Sequence, residues 1–287
     1  MPASFQLPVQ WPAAYDVPAA DRLIERFAEL GRTEARLAER PAVRAMLAAL
    51  GGNSPYLSDL AVREPAALRS LVAHRPQRVV DDALAMLAAV PIDSRREHVM
   101  AALRRAKRVV ALTTAVGDLG GIWRLEQVTA ALSDLAEAAL TLAVAYLLRA
   151  AHDAGELRLP EPGNPGPGGG FTVLGMGKLG ARELNYSSDV DLVLLYDPAA
   201  PIYTERTEGD ARAGFAARFA RGLVSLMETR DADGYVFRTD LRLRPDPAAT
   251  PPAVAINNAI TYYESMGLNW ERAAMIKARP VAGDLAL

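Results

Sequence analysis

FTVLGMGKLGARELNYSSDVDLVLLYD, residues 171–197, reads as strand, glycine turn, short helix, turn and strand. Gly175 and Gly177 follow the first apolar run directly, where glycine lets a backbone turn sharply and present its N–H groups to a phosphate. Lys178 adds a positive charge beside them. The turn is not a Walker loop, which needs GxxxxGK followed by Ser or Thr, because Lys178 is followed by Leu179. Nor does it open a dinucleotide site: Gly175, Gly177 and Gly180 fit the G-x-G-x-x-G spacing, but no βαβ unit of about thirty residues surrounds them. Its partner is Ser187-Ser188-Asp189-Val190-Asp191 at the head of the second strand. Residues i and i+2 of a strand share one face with Cα atoms roughly 6.5–7 Å apart, so Asp189 and Asp191 can converge on one cation. Val193 and Leu195 continue that face while Leu192, Leu194 and Tyr196 fill the other, which predicts a strand buried on both sides with its acids at the exposed start.

Two carboxylates on one face repel, and leaving them without a partner costs several kcal/mol, so a cation is expected between them. Mg2+ suits the position, because it takes one or two carboxylates together with substrate phosphates. A third acid commonly completes such a site, and Asp240 is the candidate. The run 236–244 alternates, placing Arg238, Asp240, Arg242 and Arg244 on one face and Phe237, Thr239, Leu241 and Leu243 on the other. A strand is therefore expected over 235–243, with Arg242 and Arg244 available to grip phosphate oxygens. Asn269-Trp270-Glu271-Arg272 and Lys277-Ala278-Arg279 add basic groups at helical spacing.

Outward from this stretch the texture changes. Residues 1–157 are rich in Ala, Leu and Arg at helical period, predicting an all-helical region. Asp21 is expected to cap a helix with Leu23, Ile24, Phe27 and Leu30 on one face, and Ser94 to cap the helix carrying Val99, Leu103, Val109 and Val110. Residues 158–170 contain LPEPGNPGPGGG and form a linker or surface loop; 171–287 form the α+β unit that carries the chemistry. Helical pattern is expected around Gly209 to Thr229. With 287 residues, no cysteine and a net charge of −2, disulfides, thiolate metal sites and bulk electrostatic binding of nucleic acid are set aside, and a reducing cytoplasm is expected. The opening MPASFQLPVQWPAAYD has no secretory pattern. The most apolar stretch, Leu125 to His152, holds Glu126, Ser133, Asp134 and Glu137, which suit a packed helix better than lipid.

GMGKLG, Arg182, SSDVDL and the Asp240 strand together resemble the polymerase-β-like nucleotidyltransferase superfamily. More closely, GMGKLGARELNYSSDVDLVLLYD, DLRLRP and WERAAMIKARPVAGD, with SPYLSDLAVREPAAL upstream, resemble the bacterial glutamine synthetase adenylyltransferase/adenylyl-removing enzymes. The resemblance implies a mixed sheet with flanking helices behind an all-helical region. It also implies that the chain is the amino-terminal catalytic portion of a longer bifunctional protein, cut short at its carboxy-terminal end. The activity implied is phosphorolysis of the AMP–tyrosine bond of glutamine synthetase, releasing ADP, within a family that also adenylylates with ATP. Mg2+ on Asp189, Asp191 and Asp240 is implied, with Gly175, Gly177, Lys178, Ser187 and Ser188 holding phosphate. PII signalling protein is a further implied partner, and membranes and nucleic acid are not. The competing readings are the same fold acting on a different acceptor, and a catalytically inactive nucleotide-sensing domain.

Overall fold

The computed structural model describes residues 5–287. Helices α1 (Val17–Ala28), α2 (Arg32–Ala38), α3 (Pro41–Asn53), α4 (Pro55–Arg63), α5 (Pro65–Ala73), α6 (Pro76–Ala88), α7 (Arg96–Leu119) and α8 (Leu125–Asp153) come first. They are followed by β1 (Phe171–Gly175), α9 (Gly177–Gly180), β2 (Val190–Tyr196), α10 (Ala211–Glu228), β3 (Thr239–Asp240), β4 (Ala253–Ala255), α11 (Ile256–Ser265), α12 (Asn269–Ala274) and β5 (Arg279–Gly283). The chain divides into two compact units, Met1–Met86 with Arg105–Leu132, and Leu87–Arg104 with Ser133–Leu287. The division therefore runs within α6, α7 and α8, upstream of the Pro/Gly tract where composition shifts.

The first unit is helical. Leu23, Ile24 and Phe27 of α1 join Met46, Leu47 and Leu50 of α3 and Leu68 and Leu71 of α5 in one buried cluster. Leu30, expected on that face, lies past the end of α1 and is 42% exposed. The cap of α1 is Asp16, not Asp21: its Oδ1 accepts the Ala19 N–H at 2.9 Å, and a proline stands in the first turn, where its missing donor costs nothing.

In the second unit a five-stranded mixed sheet runs β3-β2-β1-β5, with β4 also paired to β2. β1 is antiparallel to β2 and β5, whereas β3 and β4 run parallel to β2. On one face Phe171 of β1 packs against Tyr196, Phe215 and Phe219, the last two from α10. On the other, Val193 and Leu195 join Met176, Val254 and Ala259. Cover on both faces accounts for the unbroken apolar run of β2, whose residues 192–196 are all buried.

One expectation is corrected in this unit. The strand foreseen over 235–243 shrinks to Thr239–Asp240, because Asp240 Oδ1 accepts the Arg242 N–H at 2.8 Å and turns the chain out of the ladder. Residues 158–170 contain no helix or strand, and this loop is tied to the sheet unit: Gly170 O accepts from Asp197 N at 2.9 Å and Gly168 N donates to Asp284 at 3.0 Å. By length and composition α8 could cross a membrane; 61% of its most apolar window is buried, and its acids Asp134 and Glu137 are ion-paired to Arg182 and Arg279.

Candidate active site

The parallel pairing of β2 with β3 sets the geometry of the acids. Val190 stands opposite Thr239 and Asp191 opposite Asp240, so these two carboxylates project from neighbouring strands on one face. Adjacent strands lie about 4.8 Å apart. Asp189 precedes β2 by one residue, and the ladder is closed beside it by Val190 N donating to Arg238 O at 2.9 Å. The alternation that predicted Asp189 and Asp191 on one side thus gains its third member through strand pairing.

The glycine turn lies directly against Asp191. Met176 N donates to Asp191 O at 2.9 Å, and a Cβ on Gly177 would meet Asp191 Oδ2 at 3.2 Å. Gly177 also has φ +50°, a left-handed conformation that disfavours any side chain. Gly180 is tighter still, since a Cβ there would fall 1.8 Å from the Lys277 carbonyl oxygen. Below the turn, Arg279 binds both oxygens of Glu137 and donates to Gly180 O at 3.2 Å, while Arg182 joins Asp134 and Glu137. The turn is therefore fastened from β5 and α8. Gly175 plays a packing part, with Leu179 and Val281 side-chain carbons 2.9 Å from where its Cβ would stand.

Among the other candidate residues, Lys178 is exposed, and its charge reaches Asp191. Ser188 directs its hydroxyl to Asn185, and Ser187 offers its carbonyl to Arg238 Nη2 at 2.7 Å. Arg242 pairs with Asp240. Arg244 is not brought to the acids: its guanidinium donates to the carbonyls of Leu241 and Pro247, each at 2.8 Å, and of Thr250 at 3.1 Å, fixing the loop after β3. Lys277 pairs with Glu183 at 2.7 Å. Sequence reasoning left Arg238 unassigned, although its offset of two from Asp240 placed it on the same face. Arg238 binds Asp189, Ser187 O and the Tyr235 hydroxyl, and with Asp189, Asp240 and Arg242 it lines a cavity of about 610 Å³. Glu228 at the end of α10 holds β3 by accepting from Thr239 N at 2.7 Å and from its hydroxyl.

Burial first, and then the charges of Asp240 and Asp189, push the Asp191 carboxyl above the usual carboxylate range. Arg242, hydrogen-bonded to Asp240, holds that carboxyl below it. Among the described residues no group of three or more Asp, Glu or His side chains is placed to hold one metal ion, because Asp189 and Asp240 are turned to arginines. The donor chemistry nonetheless fits Mg2+. All the donors are hard carboxylate oxygens, the three carboxylates stand close enough for their charges to act on one another, and Mg2+ draws only one or two ligands from protein.

Residues 44–287 match the glutamate-ammonia ligase adenylyltransferase family. Among relatives named bifunctional glutamine synthetase adenylyltransferase/adenylyl-removing enzyme, that of Rhizobium meliloti (strain 1021) is 48% identical over 242 residues, 81% of this chain and 24% of the relative. That of Xanthobacter autotrophicus (strain ATCC BAA-1158 / Py2) is 45% identical over 91% of this chain and 26% of the relative. That of Rhodopseudomonas palustris (strain ATCC BAA-98 / CGA009) is 43% identical over 96% and 28%. The chain spans about a quarter of the length of these curated relatives. With a family match that covers the acid strands, the glycine turn and most of the helices before them, the chain belongs to the glutamate-ammonia ligase adenylyltransferase family.

Proposed function

We propose that the sheet-bearing unit is a Mg2+-dependent nucleotidyltransferase that acts on glutamine synthetase and removes AMP from its adenylylated tyrosine by phosphorolysis. An oxygen of inorganic phosphate bonds to the AMP phosphorus, the bond from phosphorus to the tyrosine oxygen breaks, and the phenolate takes a proton from solvent. The products are ADP and free tyrosine. The observation that carries this reading is the register of Asp191 with Asp240 against the Gly177 turn, with Asp189 one residue outside the strand. Asp189 and Asp191 would hold Mg2+, with Asp240 completing the set; the ion would supply charge neutralisation to the phosphate oxygens.

The chain's own residues supply orientation and charge. Lys178 and the backbone of the Gly177 turn flank Asp191 and are suited to the phosphoryl oxygens. Arg242, largely exposed beside Asp240, can reach the same oxygens through its planar fork. The names of the relatives support glutamine synthetase as acceptor and include adenylyl removal alongside adenylylation. The test is to incubate the chain with adenylylated glutamine synthetase, Mg2+ and phosphate and to follow ADP. ADP release that stops when phosphate is withheld supports the proposal; a folded chain that releases none overturns it.

A further inference from the structure

We infer that Arg238 is a positioning residue that holds Asp189 in place of a divalent cation and turns to the anionic substrate once that cation is bound. The inference rests on the metal-dependent reading above. Arg238 ties the segment before β2 to its own, since its guanidinium reaches the Asp189 carboxylate and the Ser187 carbonyl as well as the Tyr235 hydroxyl three residues back. Its main chain is fixed by Val190 N donating to Arg238 O at 2.9 Å, so the side chain can swing while the strand stays in place.

Charge explains why a guanidinium sits there. Asp191 and Asp240 stand opposite each other on paired strands with Asp189 one residue outside, and Arg238 and Arg242 offset two of the three charges. A divalent cation carries the same compensation to the same oxygens, so Arg238 and the cation compete for Asp189. The side chains of Arg238 and Asp189 are 50% and 48% exposed, and an ion pair so open to water is weak enough to exchange. Once released, Arg238 remains on the wall of the cavity it shares with Asp240 and Arg242, where its five donors match phosphate oxygens. Arg242 is a poorer candidate for this exchange, because it sits two residues from Asp240 in a local turn that also uses its main-chain N–H.

The probe is Mn2+, titrated into the full chain by calorimetry or by the resonance of the free ion, with melting curves to confirm folding. Arg238→Gln is expected to bind Mn2+ about two- to five-fold more tightly than the unaltered chain, the exchange range of an exposed pair. Arg230→Gln controls for loss of one positive charge in the same cavity, since Arg230 lies 4.8 Å over the Tyr235 ring. It should change Mn2+ affinity by less than half as much. Inorganic phosphate should bind the Mn2+-loaded Arg238→Gln chain on the order of ten-fold more weakly. Arg238→Lys keeps the charge without the fork and should fall between. Unchanged or weaker Mn2+ binding by Arg238→Gln, or equal tightening by Arg230→Gln, overturns the inference while leaving the metal reading in place. No Mn2+ binding by any of these chains overturns both.

Discussion

Two groups of arginine–carboxylate pairs occupy opposite ends of the same turn, and they differ in how far water reaches them. Beneath the turn, Arg279 and Glu137 have side chains only 33% and 21% exposed, and Arg279 also serves the main chain at Gly180. At the acid strands, Arg242 is 85% exposed and Arg238 half exposed. Burial makes the lower cluster costly to break, because a carboxylate stripped of its cation stays partly dehydrated. Exposure of both partners makes the Arg238–Asp189 pair exchangeable, whereas Asp240 is only 16% exposed and keeps Arg242 through a local turn. The same chemistry thus serves as a fastening in one place and as a replaceable counter-charge in the other.

Substitutions test that contrast. The largest effect is expected from Asp189→Ala or Asp191→Ala, which should lower phosphorolysis at least about 1,000-fold, some 4 kcal/mol in the barrier, with unchanged circular dichroism. Wild-type rates in both variants would remove the acids from the chemistry. Gly180→Ala should cost about 3 kcal/mol or more in chemical denaturation, since the new methyl strikes a main-chain carbonyl that cannot rotate away. Next comes Glu137→Gln, expected to cost about 1–2 kcal/mol in the same assay by leaving Arg279 and Arg182 short of a partner. Arg242→Gln should slow turnover with a smaller loss of stability than Glu137→Gln, and a loss as large would erase the distinction.

Asp191→Asn sharpens it from the other side. The folded carboxyl is raised, so its contribution to ligand-free stability is fully present below the usual carboxylate range and is lost as pH rises through the raised value. At neutral pH the asparagine removes that penalty, and the melting temperature should rise by about 1–3 °C although activity is lost. The gain should shrink as the medium is acidified.

Much of the candidate site was legible because it depends on periods that a sequence displays. β2 announced itself by apolar residues on both sides, and the glycines stood at the turn that follows β1. The short alternation around Asp240 found a strand but the wrong length for it, since the side chain of Asp240 itself bends the chain onward. β5 was hidden by Pro280, a residue that edge strands tolerate, and β4 by having only three residues. Arg238 and Arg244 looked alike in the alternation; only the loop after β3 decides that one faces the acids and the other its own main chain. Asp16 could have been preferred over Asp21 as a cap, because a proline two positions on marks a helix start.

The spacing of Asp191 and Asp240 is fixed by backbone pairing, not by the choice of rotamer. The chain between them leaves the sheet after Tyr196, passes through α10 and returns at Thr239. That excursion can grow, shrink or change its surface without moving the two acids relative to each other, provided the last two residues re-enter the ladder in step. A slip of one residue on return would replace Asp240 by Thr239 or Leu241 opposite Asp191, so the segment is free in length and strict in phase.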